Sequence, residues 1–228
     1  MSNATVIDDV KERMAPSISV AAPTDKVILY DVWWETYEQL LANFDERSSP
    51  HFAYDEGALE IMILSARHEE PNHTIAVLVE VLAEEFGVNV RGLGSTTFKR
   101  PDLKKGFEPD SCFYVQNEKR IRGKKEIDLK IDPPPDLTIE IDITSPSLNK
   151  FPIYAAIGIP EIWRYKGGHV VFHKLVGETY TETDESMALP RVTSQIVTQF
   201  LAESQTLERL EWLRRVRAWA RSVISDGG

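Results

Sequence analysis

Residues 135–150 read PDLTIEIDITSPSLNK. Leu137, Ile139, Ile141 and Ile143 alternate with Thr138, Glu140, Asp142 and Thr144, the period-two repeat of a β-strand. Alternation sends the aliphatic set to one face and sets Glu140 and Asp142 side by side on the other. A strand this rich in isoleucine is expected to be central and covered on its apolar side. Charge on the second face is costly there unless it is paired, protonated or bound to a cation. The strand is expected to stop at Ser145-Pro146, and Lys150 follows shortly after. Two readings result: a metal-dependent hydrolytic site, or an edge strand with its acidic face in water.

Working outward, Pro-Asp pairs occur at Pro101-Asp102, Pro109-Asp110 and Pro135-Asp136. Only Pro109-Asp110 leads directly into a strand, Ser111–Val115, at a distance that lets it neighbour the first. Asp110 and Glu140 on adjacent strands can share one divalent cation, and hard oxygen ligands suit Mg²⁺ or Mn²⁺ better than zinc. Lys150 then supplies fixed positive charge against the charge that grows on phosphoryl oxygens. A bound metal also lowers the pKa of water toward neutrality. Asp142 is the candidate further metal ligand.

The rest of the chain supplies a scaffold. Residues 1–25 read as a loose arm and 26–228 as one domain. Tyr30–Phe44 predicts a helix with Asp31 as N-cap. His51–Leu64 predicts a hairpin around a DEGA turn, with Glu60 facing away from Leu59 and Ile61. His68–Phe86 predicts the longest helix of the body, burying Ile75, Leu78, Val79, Leu82 and Phe86, with Pro71 in its first turn and His73 as a capping or packing histidine. Residues 116–134 are a polar, basic loop. Pro152–Ile157 predicts a short helix stopped by Gly158, and Glu161–Tyr165, Val170–Leu175 and Thr179–Thr183 a meander. Thr193–Ile224 predicts a C-terminal helix with Leu207, Leu210, Leu213, Val216, Ala220 and Val223 on one side and Glu211 paired to Arg215.

Composition bounds the partners. The chain has 228 residues, 42% hydrophobic and 27% charged, as in an ordinary globular protein. No apolar run approaches membrane-spanning length, no signal-peptide hydrophobic region is read near residue 1, and a single cysteine, Cys112, cannot form an internal disulfide; a cytoplasmic setting is expected. A net charge of -10 argues against indiscriminate coating of nucleic acid. Positive residues nonetheless gather at Lys99–Lys105, at Lys119, Arg120, Arg122, Lys124 and Lys125, and at Arg209–Arg221. The middle cluster joins the strands of Asp110 and Glu140 and is expected to overhang the pocket. The last forms a ridge for substrate or for a partner subunit in a homodimer.

EPDSCFYV followed by DLTIEIDITSPSLNKFPIYAAIGIPEIWRY resembles the Uma-two family of bacterial endonucleases, within the PD-(D/E)xK nuclease superfamily. ALEIMILSARHEEPNHTIAVLVEVL is similar to the family's early strand, proline loop and helix, so the likeness runs from about Tyr30 to Phe200. The resemblance implies a restriction-endonuclease-like α/β core, a mixed sheet flanked by helices. It implies a Mg²⁺-dependent (or Mn²⁺-dependent) DNA endonuclease with Asp110 as the PD aspartate and Glu140 as the motif acid. The lysine is displaced from the strand to Lys150 near the following helix. Asp142 departs from the family pattern, which is apolar there. The alternative is a catalytically degenerate module of the same fold that binds nucleic acid or regulates.

Overall fold

The computed structural model describes residues 18–19, 26–44, 50–63, 66–143 and 148–225. In chain order the elements are β1 (Ile18–Ser19), β2 (Lys26–Leu29), α1 (Trp34–Asn43), β3 (His51–Asp55), β4 (Ala58–Met62), α2 (Ala66–Glu85), β5 (Arg91–Gly92), β6 (Phe98–Arg100), β7 (Lys105–Phe107), β8 (Ser111–Tyr114), α3 (Glu118–Ile121), β9 (Leu137–Asp142), α4 (Phe151–Ile157), β10 (Glu161–Lys166), β11 (His169–Val176), β12 (Thr179–Thr183), α5 (Ser194–Ser204) and α6 (Arg209–Ser225). The described residues thus form a mixed α/β fold of two six-stranded sheets with flanking helices, ending in a C-terminal helix. The first sheet, ordered β1-β2-β4-β3-β7-β6, is antiparallel throughout. The second, ordered β12-β11-β10-β9-β8-β5, is mixed.

β9 runs parallel to β10 on one side and antiparallel to β8 on the other, so the edge-strand reading falls. Leu137, Ile139 and Ile141 are buried in one cluster with Ile75, Leu78, Val79 and Leu82 of α2 and with side chains of α5 and α6. Full burial of each such isoleucine stabilises the fold by about 1.5–3 kcal/mol. The opposite face of this sheet looks toward the first sheet. There Cys112 and Ile162 meet Ala53 and Phe107, with Ile153, Tyr154 and Ile157 of α4 filling the wedge. A third cluster lies under α1, where Trp34 and Tyr37 pack on Phe52, Tyr54 and Leu59. β9, α4 and β10 form a βαβ unit, the connection a parallel pair needs. Gly158 ends α4 in the left-handed region, φ 86°, as its position predicts.

Several expectations change. α1 starts at Trp34 behind Trp33, while Asp31 takes a left-handed turn at φ 59° instead of capping. α2 begins at Ala66, which puts Pro71 inside the helix, and His73 is exposed. The C-terminal run is two helices, broken between Ser204 and Arg209. The break turns the stripe of α6: Trp212, Val216 and Ala220 are buried while Leu210 is 67% exposed. Arg215 pairs with Glu203 at 2.6 Å, across that break, in place of Glu211. The arm at 1–25 lies outside the described residues apart from Ile18–Ser19, which pair with β2. Leu64 and Ser145-Pro146 also lie outside them.

Candidate active site

The register of β8 against β9 sets Ser111 opposite Ile139. One residue further along, Asp110 stands opposite Glu140, on the face that looks toward the first sheet. Asp110 is 3% exposed. Its Oδ2 accepts the Ile141 backbone N–H at 2.6 Å, and its main-chain carbonyl accepts from Asn72 Nδ2 at 3.0 Å. Lys150 occupies the N-cap position of α4 and donates to Glu140 Oε2 at 2.9 Å. One helical turn on, the Tyr154 hydroxyl donates to Glu140 Oε1. Glu60, fully buried on β4, accepts the Leu148 N–H at 2.7 Å and so anchors the approach to Lys150.

The electrostatics show how tightly these groups interact. Burial, then the charge of Glu140, pushes Asp110 well above the usual carboxylate range. Burial works to lower Lys150, but Glu140, Asp110 and Glu60 together hold its ammonium above its ordinary value. Burial and Glu140 likewise push the Tyr154 hydroxyl far up. Two histidines sit close by. Burial lowers His51 to about 4, helped by Lys150, and burial lowers His68 to about 4, so both are neutral at pH 7. His68 Nε2 is 3.4 Å from Asp110 Oδ2.

A cleft of about 380 Å³ opens beside these residues between the two sheets, walled by Lys26 and Met62 from one and by Glu140, Asp142 and Arg164 from the other, with Lys150 and Tyr154 at its base. Asp110 lies beneath the wall and does not line it. Asp142 does line it, but Arg164 holds its carboxylate and Lys166 Nζ is 3.7 Å away. A larger hollow of about 590 Å³ beside Trp33 and Trp34 contains none of these side chains.

The middle basic cluster does not line the cleft. The connector 115–136 leaves β8 from the end opposite Asp110, since Phe113 pairs with Leu137 and Ser111 with Ile139. Arg91, opposite Tyr114, fastens it there by donating to the carbonyls of Ile121 and Lys124. Ile127 and Leu129 of the connector pack in the cluster of Ile153, Tyr154 and Ile157 of α4, and no connector residue lines the cleft. Within it Arg122 pairs with Glu118 and Lys124 with Asp132, while Asp136 accepts the N–H groups of Val115 and Asn117. Of the C-terminal ridge, Arg217 and Arg221 are bound to Glu84 and Glu85 of α2, while Arg214 is exposed.

His51, His68, Asn72, Glu60 and Tyr154 were not singled out as site residues in the sequence, although signals for some existed. His68 and Asn72 continue the stripe of Ile75 and Val79 backward by seven residues, whereas His73 falls off it. Tyr154 follows Lys150 by one turn. His51 carries no comparable signal.

The donors fit a hard divalent cation in kind. Asp110 Oδ1 is buried without a hydrogen-bond partner, as are both ring nitrogens of His68 and Asn72 Oδ1. The Asp110 carboxyl, raised by burial and by the neighbouring Glu140, also favours added positive charge. Among the described residues no group of three or more His, Cys, Asp and Glu side chains could by itself hold a metal. Asp110 and Glu140 would thus hold the ion with water completing its shell, which is usual for Mg²⁺. No helix among the described residues is long and apolar enough to cross a membrane.

The family model for Uma2, described as "Putative restriction endonuclease", matches residues 34–208. Among solved structures, the chain is similar to the crystal structure of "a putative nuclease belonging to DUF820" from Anabaena variabilis ATCC 29413. That likeness has 18% identity and a TM-score of 0.46 over 83% of this chain and 99% of the other. No curated protein matches the chain.

Proposed function

The chain belongs to the Uma2 family, and from that premise we propose that it is a divalent-cation-dependent endonuclease that hydrolyses phosphodiester bonds in DNA, in a cytoplasmic setting. The observation that carries this reading is the convergence of Asp110, Glu140 and Lys150 from three separate segments, with Lys150 bonded to Glu140 and Asp110 repelled by it. Asp110 and Glu140 are the residues that would hold Mg²⁺ or Mn²⁺. When bound, such an ion makes water more acidic and neutralises charge on the phosphate.

The side chains then have separate tasks. Lys150 keeps its proton, because neighbouring carboxylates hold its pKa above the ordinary value. It therefore opposes negative charge on the phosphoryl oxygens and does not act as a general base. Tyr154 and Lys150 each hold one oxygen of Glu140, which fixes the carboxylate in one orientation. Water forms the new P–O bond as the ester P–O bond breaks; the proton shed by the water passes to solvent and the departing oxygen takes one up from solvent, with Lys150 facing the charge that passes between them.

One observation favours a second reading, a non-catalytic nucleic-acid-binding module: both oxygens of Glu140 are already engaged within the protein. Conversion of supercoiled plasmid to nicked circles separates the two. Wild type with Mg²⁺ or Mn²⁺ is expected to nick, EDTA to stop it, and Glu140→Gln to lower the rate by about a hundredfold or more, the scale of losing one transition-state electrostatic contact. DNA binding without nicking in either metal would select the second reading.

A further inference from the structure

Arg164 stands next to Glu140 in the β9–β10 register and lines the same cleft. Its guanidinium is held from two sides. The Asp142 carboxylate, 10% exposed, pairs with it, and the guanidinium carbon lies 5.6 Å from the centre of the Phe151 ring. Lys166 Nζ shares the same carboxylate at 3.7 Å. Across the cleft lining, Lys26, Lys150 and Arg164 stand against Glu140 and Asp142, an excess of one positive charge in a chain of net charge -10. The Arg164 side chain remains 35% exposed, so the fork keeps donors free of its partners in a fixed plane. A planar fork of this kind matches the paired oxygens of a phosphodiester, which a lysine cannot reproduce.

Resting on the reading of DNA as substrate, we infer that Arg164 is the phosphate anchor of the cleft and that Asp142 positions it and does not bind metal. This explains why an acid stands at position 142, where an apolar residue would leave a guanidinium beside the site without a partner.

The test is anisotropy of a fluorescein-labelled DNA duplex in EDTA across a salt series, paired with calorimetric titration of Mn²⁺. Arg164→Ala is expected to weaken duplex binding by about tenfold and to lower the log–log salt slope by about one, the change for one lost phosphate contact. Arg164→Lys should recover the slope but only part of the affinity. Asp142→Asn should leave Mn²⁺ affinity within about twofold and alter DNA affinity only when Arg164 is present, so that its double variant with Arg164→Ala binds as Arg164→Ala does. Circular dichroism melts of all variants confirm that they fold. If wild type binds the duplex and Arg164→Ala binds with equal affinity and slope, the anchor is wrong while the nuclease reading stands. If Asp142→Asn loses Mn²⁺ by more than about tenfold, Asp142 acts on the metal, as a ligand or through one, and the positioning of Arg164 alone is overturned. A wild-type protein that binds no duplex at all overturns the DNA reading itself.

Discussion

Asp110 carries a cost in the free protein that a bound cation would remove. Its carboxylate is buried, repelled by Glu140, and satisfied at one oxygen by the Ile141 N–H while the other has no partner. Asp110→Asn removes the charge and keeps an acceptor, so it is expected to melt at or above the wild-type temperature in EDTA. Mn²⁺ is expected to raise the melting temperature of the wild type and not that of this variant, since stabilisation by a ligand needs its site. A variant that melts well below wild type in EDTA would show that the charge is compensated in the free protein. Glu140 behaves differently. Lys150 is only 9% exposed and donates to it, so Glu140→Ala leaves a buried cation short of its nearest partner, and stability should fall. Gln is the cleaner substitution, because it keeps an acceptor for Lys150.

At the level of elements, α2 links the sheet to the C-terminal helices. Glu85 at its end accepts from Arg221 and Arg217 of α6, and these bonds lower its pKa from the ordinary 4.5 to about 2. A depressed carboxylate adds stability above its unfolded pKa and loses it as pH falls through the folded value. Urea midpoints should therefore fall more steeply between pH 5 and pH 3 for wild type than for Glu85→Gln. Parallel pH profiles would show that the clamp adds nothing. Periodicity made much of this legible: the alternation of β9 named its buried face, and the stripe of α2 named Ile75, Leu78, Val79 and Leu82. It could not show what covers each face. Nor could it show that α2 begins two residues before His68, or that α5 and α6 part at Gln205–Glu208, because both depend on contacts between distant segments. The pairing of Asp110 with Glu140 was read from strand adjacency. Glu60 and His51 join them only through the meeting of two sheets, which no local pattern encodes, whereas His68 comes from α2 and lies on its stripe.

For the whole molecule, the decisive feature is that the cleft opens where the sheets meet, at the C-terminal end of β9, while the basic connector lies at the other end of that strand. Three residues of strand, about 10 Å, separate Asp110 opposite Glu140 from Phe113 opposite Leu137, where the connector begins, a span beyond the Debye length of about 8 Å at physiological salt. Replacing exposed Lys119, Arg120 and Lys125 with alanine is thus expected to change duplex affinity in anisotropy by no more than about twofold at that salt. A tenfold loss would place the DNA on the connector side. The proposed nuclease activity needs Asp110 and Glu140 to share a divalent cation, and anomalous diffraction from crystals grown with Mn²⁺ measures that directly. The expected result is a peak within metal–oxygen distance, about 2.0–2.6 Å, of both carboxylates. A crystal that binds Mn²⁺ elsewhere, or at Asp142, and leaves the space between Asp110 and Glu140 without a peak would contradict it.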